Sequence, residues 1–488
     1  MQLAEREKPT NPAAGILLVV ILMIAAFLRF YELDRTSLWY DEAVSWSQSK
    51  GTLAELLTSV TADNYPPLHN VILWLAMPLI GDSEMALRMP SAALGVLAVW
   101  FVYLIGKHLA GREAGLLAAA LLALSPLHIW YSTEARMYAL LAACGFVFLF
   151  AVLKVLQRPS SLWITLLVFG GTCFLYSHVY ALFAFAGVGI VCASFALAQI
   201  RSTKSLAGNN AVVACQAMAA STISFLPWLY LILKRARSVA DEGFWIAYPD
   251  LPFLETLVFG LAGSLALFWV LTGLALTGVL MAFFSPPRTN ADASAPRQEI
   301  MVCLAYTLGP AVLAYLYSVL LQPILFDRYL IAAWPGLIVL AAVGATRLLP
   351  RLAPVALVGV AIVLTYPQLE FTLNTKIRPE WRQIAEYFEE NSGPEDRLLL
   401  YKGFAAPVLS YYLRRPDQFE AVESLDQLNE SLGAQKEPTT WLLLVHSNEQ
   451  ETSEATEIFL SNGGSEAIRA FGWGASGLTL LTSNQNTR

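Results

Sequence analysis

Apolar runs long enough to cross a bilayer recur along this chain from about residue 13 to about residue 370. A helix needs about 20 residues to traverse roughly 30 Å of hydrocarbon. Only a segment that satisfies its own backbone can make that crossing. The runs lie near 13–30, 86–106, 113–130, 138–156, 162–178, 180–199, 211–233, 256–284, 300–321, 329–347 and 353–369. They predict a polytopic α-helical membrane protein with about eleven spans. Hydrophobic residues make up 56% of the 488 and charged residues 14%, where a soluble domain carries about 25% charged. One large soluble core is excluded.

The first run has no clear small-residue cleavage site and is read as a retained span rather than a signal peptide. His69 to Ile80 is apolar but short, and reads as an interfacial or re-entrant piece. With the N-terminus inside, Lys107, Arg112, Lys154, Arg158, Arg201, Lys204, Arg288, Arg297, Arg347 and Arg351 all fall in inside loops. Lys234, Arg235 and Arg237 are the outside exception. This distribution obeys the positive-inside rule, and a further span at His69–Ile80 would invert it. The expected arrangement is a cytoplasmic N-terminus and an outside C-terminus in a cell inner membrane.

Residues 1–369 are therefore read as a transmembrane domain with a long first outside loop at about 31–85, and residues 370–488 as a small extracytoplasmic α/β domain. In the latter, Trp381–Glu390 has amphipathic helical spacing, and Arg397–Tyr401, Thr440–His446 and Leu478–Thr482 read as short strands. Thr289–Pro296 reads as an irregular inside loop. A net charge of -6 gives no sign of a nucleic-acid partner. Cys144, Cys173, Cys192, Cys215 and Cys303 all sit in apolar runs. They offer neither a disulfide framework in the polar part nor the C-x-x-C spacing of a thiolate-held metal.

Four outside stretches carry chemistry. Asp41-Glu42 places two adjacent carboxylates beside a membrane, flanked by Trp39, Tyr40 and Trp46, with a surface helix expected at about Thr52–Ser59. A solvated surface pair is the competing reading. Asn64-Tyr65-Pro66-Pro67-Leu68-His69 enters the short apolar segment through two prolines. His69 there is either a hydrogen-bonding ligand for an acceptor or phosphate, or a packed interfacial histidine. Glu134 and Arg136, before Tyr138, lie between two apolar runs and are either an ion pair or a phosphate site. Arginine suits a phosphate because its planar fork matches the oxygens and stays charged. Arg328, in Phe326-Asp327-Arg328-Tyr329, is a second phosphate ligand or a snorkelling helix-end arginine. His178 is a weaker candidate, and His108 and His128 carry no signal. In this topology Asp41, His69, Arg136, His178 and Arg328 all fall on the outside face, which points to an anionic lipid-linked substrate.

Taken in order, Leu38-Trp39-Tyr40-Asp41-Glu42, Tyr65-Pro66-Pro67-Leu68, Arg88-Met89-Pro90-Ser91, Ser132-Thr133-Glu134-Ala135-Arg136-Met137-Tyr138 and Asp327-Arg328-Tyr329-Leu330 resemble bacterial glycosyltransferase family 39. That family includes the protein O-mannosyltransferases and is related to the lipid A aminoarabinose transferase. The resemblance covers about 13–370, and Trp381-Arg382 is also similar to bacterial members. It implies a GT-C fold, a polyprenyl- or dolichyl-phosphate sugar donor and inverting transfer without a nucleotide sugar. Asp41 and Glu42 match the first and second acidic residues of the family motif. The large β-trefoil insertion of the eukaryotic mannosyltransferases is missing.

The expected reaction moves a sugar from the lipid phosphate to an acceptor hydroxyl on a lipid, glycan or protein. Asp41 is the expected base and Glu42 its support. Arg136 and Arg328 are expected on the leaving phosphate, with Glu134, His69, Tyr138, Tyr329 and His178 around the substrate. Trp39, Tyr40, Tyr131 and Tyr138 either stack on sugar or isoprenoid or act as interfacial anchors. The scheme assigns no cofactor; a divalent cation at Asp41 is allowed, although no closed ligand set is visible. The competing classes are a lipid-linked substrate transporter or flippase, and a membrane scaffold with an outside binding domain. No internal repeat and no midplane charge supports the first, and paired carboxylates beside paired arginines are not needed by the second.

Overall fold

A computed structural model describes residues 12–63, 65–242, 246–284, 295–349, 353–375, 378–415, 418–433, 439–445, 449–471 and 478–483. Asn64, Arg288, residues 289–294 of the expected inside loop, Arg351 and His446 lie outside them. The chain divides into two compact units. The first comprises Met1–Tyr31, Gly51–Leu79 and Arg88–Asn374; the second comprises Glu32–Lys50, Ile80–Leu87 and Thr375–Arg488.

The first unit is a helical bundle. Among the described residues, eight helices are long and apolar enough to cross a membrane: Ala13–Phe30, Glu84–Ala110, Tyr138–Gln157, Ala181–Thr203, Asn210–Arg235, Leu265–Phe284, Arg297–Leu320 and Pro354–Asn374. The chain is a multi-pass membrane protein. Four expected spans need correction. The one at 162–178 is a 15-residue helix, Ser161–Leu175, shorter than a span requires. Residues 113–130 form a broken pair, Arg112–Ala123 and Pro126–Ser132, bent by 63°. The helix expected at 256–284 is two, Leu251–Ala262 and Leu265–Phe284, divided at Gly263, whose φ of +72° caps the first. The span expected at 329–347 begins as a 3-10 turn, Asp327–Leu330, and continues as Trp334–Leu348, because Pro335 starts a new helix. Leu68–Ile80 is a 13-residue helix, too short to cross.

The break after Ala123 exposes helix-end carbonyls inside a dry bundle, where each orphan is costly. Arg29 resolves this. Its fully buried guanidinium donates to Leu122 O at 3.1 Å, Ala123 O at 3.2 Å and His128 Nδ1 at 3.0 Å. Helices Leu265–Phe284 and Trp334–Leu348 meet through glycine: a Cβ on Gly278 would lie 2.8 Å from the Gly344 nitrogen. Close backbone approach through small residues is how helices associate in lipid, where apolar burial gives little drive.

The second unit is a three-layer α/β/α arrangement. Strands β1 (Arg397–Tyr401), β2 (Phe419–Val422), β3 (Thr440–Val445), β4 (Ser465–Phe471) and β5 (Leu478–Thr482) form one sheet in the order β2-β1-β3-β5-β4. The β1 pairings are parallel, and β5 is antiparallel to β3 and β4. Both faces are covered, which explains the unbroken apolar strands Leu398–Tyr401 and Trp441–Val445. Leu398, Leu400, Trp441 and Leu443 pack on one face with Trp381, Ile384, Ala385 and Phe388. Those last four recur at helical spacing along Trp381–Asn391. Leu399, Leu442 and Leu444 face Leu428 and Phe459 on the other side.

Candidate active site

In the first unit, the connections between helices bring a set of polar and aromatic side chains into one cage. Tyr65 comes from the chain entering helix Leu68–Ile80. Arg136 precedes helix Tyr138–Gln157, and Tyr138 opens it. His178 and Tyr180 lie between Ser161–Leu175 and Ala181–Thr203, and Arg328 and Tyr329 lie on the 3-10 turn Asp327–Leu330. Irregular backbone in a buried position needs its own hydrogen-bond partners. Here Leu68 N–H donates to Tyr176 O at 3.2 Å. Ser91 Oγ donates to Arg136 O at 3.2 Å, and the Tyr180 hydroxyl donates to Ile324 O.

The cage packs tightly. The His178 ring lies 5.3 Å from Tyr65, 5.1 Å from Tyr329, 5.7 Å from Tyr180 and 6.1 Å from Tyr138, centroid to centroid. The Arg136 guanidinium sits 5.3 Å over the Tyr65 ring. Arg328 sits 5.5 Å over Tyr329 and 5.9 Å over Tyr138. The Tyr65 and Tyr329 hydroxyls are 3.5 Å apart. Burial, then Arg136, then Arg328 push the His178 pKa down to about 3. Both guanidinium groups therefore act on the same imidazole, and the potential there is positive. Burial raises the Asp327 carboxyl above its usual range against the pull of Arg328. The Asp327 carboxylate also accepts the Arg328 backbone N–H at 2.6 Å. Gly260 makes room for it, since a Cβ there would stand 2.7 Å from Asp327 Oδ2.

Of the residues expected at a site, Arg136, Arg328, His178, Tyr138 and Tyr329 are thus assembled. Glu134 and His69 are buried in the same unit, at 2% and 3% exposure. Tyr65, Tyr180 and Asp327 join the cage although the sequence alone gave them no role. Tyr65 and Asp327 did stand inside the quoted motifs; Tyr180, two residues past His178, carried no signal of its own.

Asp41 and Glu42 belong to the second unit, in the first turn of helix Tyr40–Gln48. Asp41 is partly exposed, and its carbonyl accepts from Ser45 Oγ at 2.9 Å. Glu42 is fully buried and pairs with Arg378, Nη1 to Oε2 at 3.0 Å. It also accepts the Trp39 backbone N–H at 3.3 Å. A buried, paired carboxylate of this kind positions its helix. Arg378 stands 336 residues away in sequence, so local pattern could not have found it. Nearby, Glu84 accepts from Arg382 and from the Tyr412 hydroxyl, and Asp82 accepts Trp46 Nε1–H at 3.0 Å. Among the described residues no group of three or more His, Cys, Asp or Glu gathers as a metal-ligand set. The residues around Asp41 do not by themselves fit a protein-held cation.

The family described as Dolichyl-phosphate-mannose-protein mannosyltransferase matches residues 64–236. The structure superposes on ArnT from Cupriavidus metallidurans bound to undecaprenyl phosphate with a TM-score of 0.61 at 14% identity, covering 98% of this chain and 99% of that one. The apo form of the same protein gives 0.62 at 13%, covering 97% and 98%. The oligosaccharyltransferase AglB from Archaeoglobus fulgidus, in complex with an inhibitory peptide and a dolichol-phosphate, gives 0.53 at 12%, covering 95% and 74%. Residues 64–236 are thus similar to that family, and the chain as a whole shares the GT-C fold of these structures. No curated protein matches it by sequence. Within this GT-C frame, the family match takes in Tyr65, His69, Glu134, Arg136, Tyr138 and His178. Asp41, Glu42 and Arg328 lie outside the matched stretch.

Proposed function

We propose that this protein transfers a sugar from a polyprenyl-phosphate donor to an acceptor hydroxyl of a lipid, glycan or protein, with inversion, on the extracytoplasmic side of the cell membrane. The observation that carries the reading is the pair of guanidinium groups, Arg136 and Arg328, set over tyrosine faces around one buried histidine. Guanidinium groups held in an apolar, aromatic cage match an anionic headgroup whose tail stays in lipid. The undecaprenyl phosphate and dolichol-phosphate bound to the similar ArnT and AglB structures support the same chemistry.

In the proposed step, the acceptor hydroxyl gives its proton to the Asp41 carboxylate as its oxygen bonds to the anomeric carbon. The bond from that carbon to the phosphate oxygen breaks, and its electron pair leaves with the phosphate. A monoanionic diester becomes a dianionic monoester. Arg136 and Arg328 stabilise the charge that develops, with no reorganisation needed at the moment of reaction. Asp41 as general base contributes about 10²–10⁴-fold. Glu42, through Arg378, holds the helix that carries Asp41. Glu134, His69, Tyr138, Tyr329 and His178 complete the donor pocket. Residues 1–369 form the transferase domain in this reading, and residues 370–488 the extracytoplasmic α/β domain. The Lys and Arg distribution puts the N-terminus in the cytoplasm and this C-terminal part in the periplasm.

The test is release of radiolabelled sugar from polyprenyl-phosphate sugars by purified protein in nanodiscs with an envelope acceptor. Wild type consumes one donor of the panel, and Asp41→Asn loses at least about a hundredfold in rate while still binding donor. Equal turnover by both proteins removes Asp41 from the base role. No donor consumed, and no donor bound, overturns the transferase reading.

A further inference from the structure

The His178 imidazole is 2% exposed, and its two nitrogens have different fates. Nδ1 accepts the Tyr180 backbone N–H at 3.1 Å. An accepting Nδ1 carries no proton in the neutral ring, so the proton resides on Nε2. Nε2 is itself buried and has no hydrogen-bond partner among the described residues. A donor left in that state is penalised, and buried polar groups in folded proteins are nearly always satisfied. The groups around it are the phenols of Tyr65, Tyr138, Tyr180 and Tyr329 and the guanidinium groups of Arg136 and Arg328. Those two cations make a neighbouring anionic oxygen favourable and a third positive charge unfavourable.

We infer that His178 is a neutral-tautomer donor whose Nε2–H bonds an oxygen of the substrate's phosphate, with Tyr180 N–H fixing the tautomer. The inference rests on the donor reading proposed above and gives His178 a definite role within it. The histidine adds a directional hydrogen bond between the arginines without adding charge. Because it stays uncharged when the phosphate departs, it does not hold the product as an imidazolium would.

Polyprenyl phosphate, with the uncharged polyprenol as its control, provides the test, with affinities measured on full-length protein in nanodiscs. Wild type should prefer the phosphate. His178→Ala should lose about tenfold to a hundredfold of that preference, the value of a hydrogen bond to a charged group, with polyprenol binding unchanged. His178→Gln places an amide N–H near the Nε2 position and should recover to within about threefold of wild type, whereas His178→Asn, whose amide reaches only as far as Nδ1, should not. A merely structural histidine would not separate these two amides, and the pair remains informative if the alanine variant folds poorly. The ratio of wild-type to alanine affinity for a sugar phosphodiester, which does not itself titrate near neutrality, should be flat between about pH 5 and pH 8. A ratio that rises as pH falls through about 6.5 means an imidazolium contact and overturns the inference. Equal phosphate preference in wild type and alanine overturns it too, while leaving the donor reading standing. Failure of wild type to prefer phosphate over polyprenol removes the donor reading and this inference with it.

Discussion

Replacing Arg378 by methionine strips the counter-charge from a carboxylate that water does not reach. Glu42 is fully buried and Arg378 is 10% exposed, with 3.0 Å between Nη1 and Oε2. At that separation and an effective dielectric of about 20, the direct attraction is about 5–6 kcal/mol. Desolvation of both groups offsets much of it, yet removing one partner of a buried pair still costs about 3–5 kcal/mol. The expected outcome is local loosening of helix Tyr40–Gln48, which carries both Asp41 and Glu42. Hydrogen exchange followed by mass spectrometry on the 39–49 segment reads this directly, since 3 kcal/mol is about a 150-fold loss of protection. Glu42→Gln alone should loosen the segment as well. The double variant should be less protected than wild type but better than the sum of the single effects, with a coupling of about 1–3 kcal/mol. Protection that falls less than about tenfold in Arg378→Met, or strictly additive single effects, would refute the claim that this pair holds the helix.

Two other outcomes follow from the geometry. Gly344→Leu should destabilise the first unit by about 1–3 kcal/mol or more, because its side chain would meet the Leu274 carbonyl of the facing helix; thermal aggregation in detergent reads the loss. For Asp327, burial raises the folded carboxyl above its ordinary value of 3.8. Its contribution to stability is therefore complete below about pH 3.8 and is lost as pH rises through the folded pKa. The melting temperature of Asp327→Asn should fall less than that of wild type over that window, and parallel curves would discount the burial.

Much of the fold was legible in local pattern. The strands at Arg397–Tyr401 and Leu478–Thr482 stand where their apolar runs placed them, and helix Trp381–Asn391 buries the residues its spacing marked. The helix expected at about Thr52–Ser59 is Leu53–Thr61, started by a Thr52–Glu55 capping box. The breaks at Leu124 and at Gly263 fall inside runs read as single spans. Pro126 marks where the new helix starts, but that the break is tolerated depends on Arg29, contributed from about a hundred residues away, to take the freed carbonyls. For Glu42 the competing reading of a solvated surface pair fails, because the residue is buried against Arg378, a partner remote in sequence.

What the chain determines by itself is the set of lengths and periods: which runs can span lipid, which strands must be covered on both faces, and which motifs hold arginine beside tyrosine. These depend on neighbours a few residues apart, so the sequence displays them. Which ionisable groups share one cage was decided by tertiary packing alone. Tyr65, Arg136, His178 and Arg328 come from separate connections between helices and meet only when those helices close on one another. The tautomer of His178 likewise depends on the backbone N–H that faces its Nδ1, a matter of fold geometry that no spacing of residue types encodes.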